Sequence, residues 1–191
     1  MALTSPLLAL PRELRNMIYE FAVLGQPLGI KQSTSLNHSQ LFTSRSPLIL
    51  ASKQTRKEYL EVMDKLALSP KWPDVVIEVP VVDTHFSNLI ASIAMLTPSE
   101  HLSVAFKLLV VLAFGSDDVV PRFRRARIWL GYCSDVGIEA RYAVKKGCGP
   151  SGGEVVRVNY WLANVPRGDR KRVEATKICD ALVPSRVGRA R

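Results

Sequence analysis

The spacing of apolar residues changes part-way along this chain, and that change limits the fold more than any other property of the sequence. Leu14, Met17, Ile18 and Phe21 recur at i, i+3, i+4 and i+7, the stripe of an amphipathic helix over residues 11–23. Pro11 suits its first turn, Glu13 sits at the favourable end of its dipole, and Gly25 and Pro27 end it. A second helix opens at Ser46-Pro47 and carries Leu48, Ala51, Thr55, Tyr59, Val62 and Leu66 on one face. The polar residues 25–45 between them read as a loop. Then the period shifts. Val75 to Val82 is β-branched and bounded by prolines, which makes it a strand, with Pro80 pointing to an edge or an early end.

Helical and extended patterns alternate from there. Asp83 or Thr84 is placed to cap a helix carrying Phe86, Leu89, Ile90, Ile93 and Leu96. Thr97-Pro98-Ser99-Glu100 has capping-box spacing. Lys107 to Phe114 has a strand's length, although an apolar run of this kind also fits the end of a buried helix. Val119–Tyr132 reads as helix, and Ile138–Val144 and Val155–Leu162 as strands joined by a Gly147–Gly153 hairpin. Asp169–Leu182 reads as a last helix before a basic tail. The fold class is therefore α+β. Residues 7–66 form a helical module, residues 72–183 a small mixed sheet with packed helices, and residues 184–191 a tail.

Charge is segregated along the chain. Of 26 Lys+Arg and 17 Asp+Glu, residues 1–120 hold 10 and 11, and residues 121–191 hold the remaining 16 and 6. The whole net charge of +9 thus arises in the last third, which favours an acidic partner there. Arg122, Arg124, Arg125 and Arg127 interleave with Phe123, Ile128 and Trp129, as phosphate-plus-stacking sites do. Arg170, Lys171 and Arg172 form a second basic group. The alternative is a solvated helix face over buried aromatics.

The most specific signal is the run Leu10-Pro11-Arg12-Glu13-Leu14-Arg15-Asn16-Met17-Ile18-Tyr19. It resembles the L-P-x-E-L-R-N-x-I-Y signature of a large family of fungal F-box-like proteins, and the opening of the F-box itself. Leu48 to Glu58 is similar to that family's second motif, L-L-x-V-C-R-Q-I-R-x-E. Glu13/Arg15 and Arg56/Glu58 occupy the family's paired acidic and basic positions. Ser52 stands where cysteine is usual, Thr55 replaces isoleucine or tryptophan, and Ala22 replaces the closing leucine. The resemblance covers residues 7 to about 66. It implies a non-enzymatic adaptor in which Leu10, Pro11, Leu14 and Ile18 dock to the adaptor subunit of an SCF-type ubiquitin ligase, while residues 72–183 choose a target protein. The same apolar stripe would equally serve as the core face of the first helix, packed on the second.

Other constellations are weaker. Gly147 to Gly152 matches G-x-G-x-x-G, but a strand-like run follows it and Pro150 removes an N–H, so a hairpin loop is the better reading. His38, His85 and His101 lack ligand spacing with one another or with Cys133, Cys148 and Cys179, so neither a metal nor a cofactor is expected. No catalytic constellation is visible. An odd cysteine count without C-x-x-C suits reduced thiols in the cytoplasm or nucleus, and no segment reads as membrane-spanning. The competing function is nucleic-acid binding by the basic third.

Overall fold

A computed structural model describes residues 6–31, 41–114, 120–145, 164 and 170–182, with side chains from residue 125 onward within 120–145. Among these, a 3-10 turn (Pro6–Ala9) leads into α1 (Arg12–Leu24). Then follow β1 (Leu28–Ile30), β2 (Phe42–Thr43), α2 (Leu48–Ala51), α3 (Lys53–Leu68), β3 (Ile77–Val82), α4 (Ser87–Ala94), α5 (Pro98–Ala105), β4 (Leu108–Ala113), α6 (Val120–Val136), β5 (Arg141–Val144) and α7 (Arg170–Leu182). The strand expected at 155–162, its hairpin and the tail lie outside the described residues.

The five strands form one mixed sheet in the order β2-β1-β3-β4-β5. β1, β3, β4 and β5 are parallel, and only β2 runs antiparallel, against β1. The expected mixture of helices with one mixed sheet is present, with four of its five strands parallel. Two strands, however, come from the segment read as a loop between the first helices. β1 and β2 approach closely at Gly29: a Cβ there would stand 2.5 Å from Thr43 Oγ1, so a side chain would force that hydroxyl to move. Lys107 to Phe114, which sequence left open, contains strand β4, because Leu108, Val110 and Leu112 alternate into the core with Leu109, Val111 and Ala113 on the other face.

One face of the sheet carries the core. Leu28, Ile77, Val79, Leu108, Val110 and Leu112 are fully buried there. Trp129 on α6 stacks on Phe86 and donates its Nε1–H to Tyr142 Oη on β5 at 2.7 Å. Tyr142 in turn donates to Glu174 on α7 at 2.7 Å. Tyr142 pairs in register with Val110, so α6 and α7 lie over the core face. Tyr19 and Val23 of α1 and Tyr59, Met63 and Leu66 of α3 belong to the same continuous cluster.

Three local expectations needed correction. The second helix breaks at Ser52, whose backbone is extended (φ −160°, ψ 164°) and whose hydroxyl accepts from the Thr55 N–H at 3.0 Å. Serine is therefore the N-cap of α3, which explains its use there. Neither Asp83 nor Thr84 caps α4: both adopt positive φ (51° and 57°), and the helix begins past Phe86 without a side-chain cap. Pro80 lies in an inner strand. Its missing N–H falls on the β1 side, where the next rung would need a donor to the Ile30 carbonyl, and the β1–β3 pairing accordingly stops at Gly29↔Glu78. The capping box at Thr97–Glu100 is present as expected.

A buried lysine ties helix to sheet. Lys107 Nζ donates to the carbonyl oxygens of Leu66, Ala67 and Ser69 at 2.7, 2.9 and 2.6 Å, so the entry to β4 closes the C-terminus of α3. Burial pushes its pKa down to about 8. Three acceptors at the negative end of a helix favour the ammonium, which has three donors to give. We expect Lys107→Met to lower the unfolding free energy by about 3 kcal/mol, since it strands these carbonyls. Urea denaturation checks this, and a loss under about 1 kcal/mol would mean that water replaces the lysine.

Candidate functional site

The N-terminal motif resolves into two faces of α1. Arg15, Tyr19 and Val23 face inward and are buried. Leu14, Met17, Ile18 and Phe21 face outward and are 47%, 52%, 39% and 72% exposed. The reading in which this stripe packs on the second helix therefore fails: the helix-to-helix contact is made by the polar residues of the motif.

Glu58 of α3 is at the centre of that contact. Arg15 grips its carboxylate with two donors, Nε to Oε2 at 2.8 Å and Nη2 to Oε1 at 2.9 Å. Tyr19 Oη donates to Oε2 and Gln54 Nε2 to Oε1, both at 3.0 Å. Arg12 Nη1 lies 2.9 Å from Oε1, and its Nη2 bonds Glu61 Oε2 at 3.1 Å. Glu58 is 4% exposed, and a buried carboxylate needs such saturation to stay ionised. The Arg15 hydrogen bonds hold its pKa at about 2, against the upward push of burial and with help from Gln54, Tyr19 and Arg12.

Arg15 also positions the start of the motif. Its Nη1 donates to the carbonyl of Leu10 at 2.5 Å and reaches that of Leu8 at 3.4 Å. Leu10 is half-buried, and Pro11 is exposed at the N-cap. The four residues Leu10, Pro11, Leu14 and Ile18 thus lie together at one accessible end of α1, held from behind by a charged cluster. Sequence inspection placed Arg15 and Glu58 at paired motif positions but did not show that they pair with each other.

The basic residues are less coherent. Arg122 and Arg124 fall within α6, and their side chains lie outside the described residues. Arg125 and Arg127 are exposed, with Arg125 Nη1 hydrogen-bonded to His85 Nε2. Trp129 is fully buried, so this member of the expected stacking platform belongs to the core. Arg170 is exposed, while Lys171 and Arg172 are half-buried. Three cations in the first turn of α7 oppose its own dipole. Arg170, however, lies against Gly137, the positive-φ residue (78°) that follows α6, at the negative end of that helix's dipole. The two basic groups therefore occupy opposite ends of α6, about 18 Å apart at 1.5 Å per residue.

Among the described residues no group of three His, Cys, Asp or Glu side chains is arranged to hold a metal, and no helix is long and apolar enough to cross a membrane. Cys133 and Cys179 are buried free thiols; burial pushes the Cys179 thiol up to about 12 and that of Cys133 further, which makes both poor nucleophiles. A cleft between β2, α2 and α3 is lined by Phe42, Ile49, Leu60, Met63 and Asp64. Asp64 Oδ1 lacks a hydrogen-bond partner there, and burial raises its pKa to about 6. Compared with protein-family models, curated proteins and solved structures, the chain matches none.

Two outcomes follow for Glu58. Glu58→Ala should destabilise the protein by about 3–5 kcal/mol, because it leaves the Arg15 charge buried without its partner; chemical denaturation measures this. The second is pH dependence. The folded pKa of about 2 lies below the ordinary 4.5, so the stabilisation is full above pH 4.5 and is lost as pH falls through about 2. Melting temperatures from pH 6 to 2 should fall more steeply for the wild type than for Glu58→Gln. Parallel curves would refute the assignment.

Proposed function

We propose that this protein is a non-enzymatic interaction adaptor that docks a partner along the outer face of α1. The observation that carries the reading is the division of labour within the motif. Its charged and tyrosine residues join α1 to α3, and its apolar residues Leu14, Met17, Ile18 and Phe21 are left in solvent. An exposed apolar stripe on a helix that is fixed from behind matches helix-in-groove recognition. The resemblance to F-box-like proteins makes the adaptor subunit of an SCF-type ubiquitin ligase the first partner to test, with the rest of the chain presenting a target. The nucleic-acid alternative draws less support, since Trp129 is in the core and the two arginine groups are apart.

The full chain carrying Leu14→Asp and Ile18→Asp should keep its melting temperature within a few degrees, since both positions are solvent-exposed. It should lose at least tenfold in affinity for the purified ligase adaptor by calorimetry. Failure of the wild type to bind that subunit removes the ligase reading. Equal binding by both removes α1 as the surface.

A further inference from the structure

The sheet has a second face, opposite the one on which α6 and α7 lie. In register across β3, β4 and β5, Glu78, Leu109 and Arg141 form one row, and Pro80, Val111 and Ala143 the next. Val82 and Ala113 continue the pattern, and Lys145 follows β5. Leu109, Val111, Ala113 and Ala143 are half-buried, while Pro80, Val82 and Arg141 are exposed, Val82 by 53%. On the opposite face Val79, Val110 and Leu112 are fully buried beneath the helices. Parallel sheets are nearly always covered on both faces, so an apolar strip that is only half-buried among the described residues, with exposed Pro80 and Val82 beside it, suits an occupant.

The charges on this face say which. An acid, Glu78, borders the strip on β3, and the bases Arg141 and Lys145 border it on β5, with only apolar residues on β4 between them. Among the described residues neither Glu78 nor Arg141 finds a partner in its own chain. A two-fold axis along β4 carries the β3 side of one copy onto the β5 side of another. Each Glu78 then faces Arg141 of the partner subunit, and Val111 meets its own equivalent. Stacked sheets lie about 10 Å apart, a gap that a glutamate and an arginine span together. We infer that this face binds a second copy of the chain, sheet against sheet, with two reciprocal Glu78–Arg141 pairs flanking a β4-centred apolar contact. The contact is isologous, so it closes at two copies. Three strands by six residues give about 14 by 20 Å, well under the roughly 800 Å² per partner of a tight complex. The dimer is accordingly weak and concentration-dependent.

Sedimentation velocity of the full chain between about 1 and 300 μM tests this. The wild type should pass from monomer to dimer within that range. Glu78→Arg alone, or Arg141→Glu alone, places like charges opposite each other and should raise the midpoint at least tenfold. The double variant exchanges the pairs and should restore the wild-type midpoint. Val111→Lys should abolish the dimer, and the α1 variant Leu14→Asp with Ile18→Asp should leave it intact. A wild type monomeric throughout overturns the inference. So does a dimer indifferent to either charge reversal, or one abolished by the α1 variant, which would assign self-association to α1.

Discussion

The Glu58 carboxylate receives Arg12, Arg15 and Tyr19 from α1 and Gln54 from its own helix, and the N-terminal half of the molecule is assembled around it. Ionised and almost fully buried, it must be saturated or it becomes a large penalty. Saturation is possible only when α1 lies on α3 in one register, with Tyr19 edge-on to Tyr59. A polar contact specifies that geometry more tightly than interchangeable apolar side chains do, because each donor has one place to go. Arg15 then extends the order outward to Leu10. The apolar residues of α1 are released from packing duty by the same arrangement.

A second polar anchor acts at the other end of α3, where Lys107 closes the helix from the entry to β4. A third, the relay from Trp129 through Tyr142 to Glu174, joins α6, β5 and α7. In each case a group from one element satisfies polar atoms of another. The hydrophobic cluster supplies most of the driving force, and these three contacts fix how its layers are set.

Much of the architecture was legible from periodicity and capping, since α1, α5, α6 and α7 follow signals that are local in sequence. What was not legible depended on distant residues. β1 and β2 are three and two residues long, too short for any alternation to register, and exist because β3 offers an edge. The break at Ser52 is invisible to a face-counting argument, because residues on either side of it still fit a helical wheel. For the candidate site, the stripe on α1 was plain but its direction was not: an amphipathic helix ordinarily buries its apolar side, and here Arg15 and Tyr19 take that place because Glu58 is waiting. Lys107 showed only as one charge in an apolar run, a hint of a buried partner without its identity.

The parallel strands follow one another across the sheet in the order in which the chain supplies them. A growing polypeptide can therefore lay β3 beside β1, β4 beside β3 and β5 beside β4, never needing to insert a late strand between two earlier ones. Besides the outer edge of β2, each stage leaves one raw edge on the growing side, and the next parallel strand covers it. During synthesis the hazard is thus confined to the interval between successive strands, when an unpaired apolar edge such as that of β4 is open to a neighbouring nascent chain. Slow stretches of translation between residues 82 and 108, or between 113 and 141, would lengthen that exposure for β3 and β4 in turn.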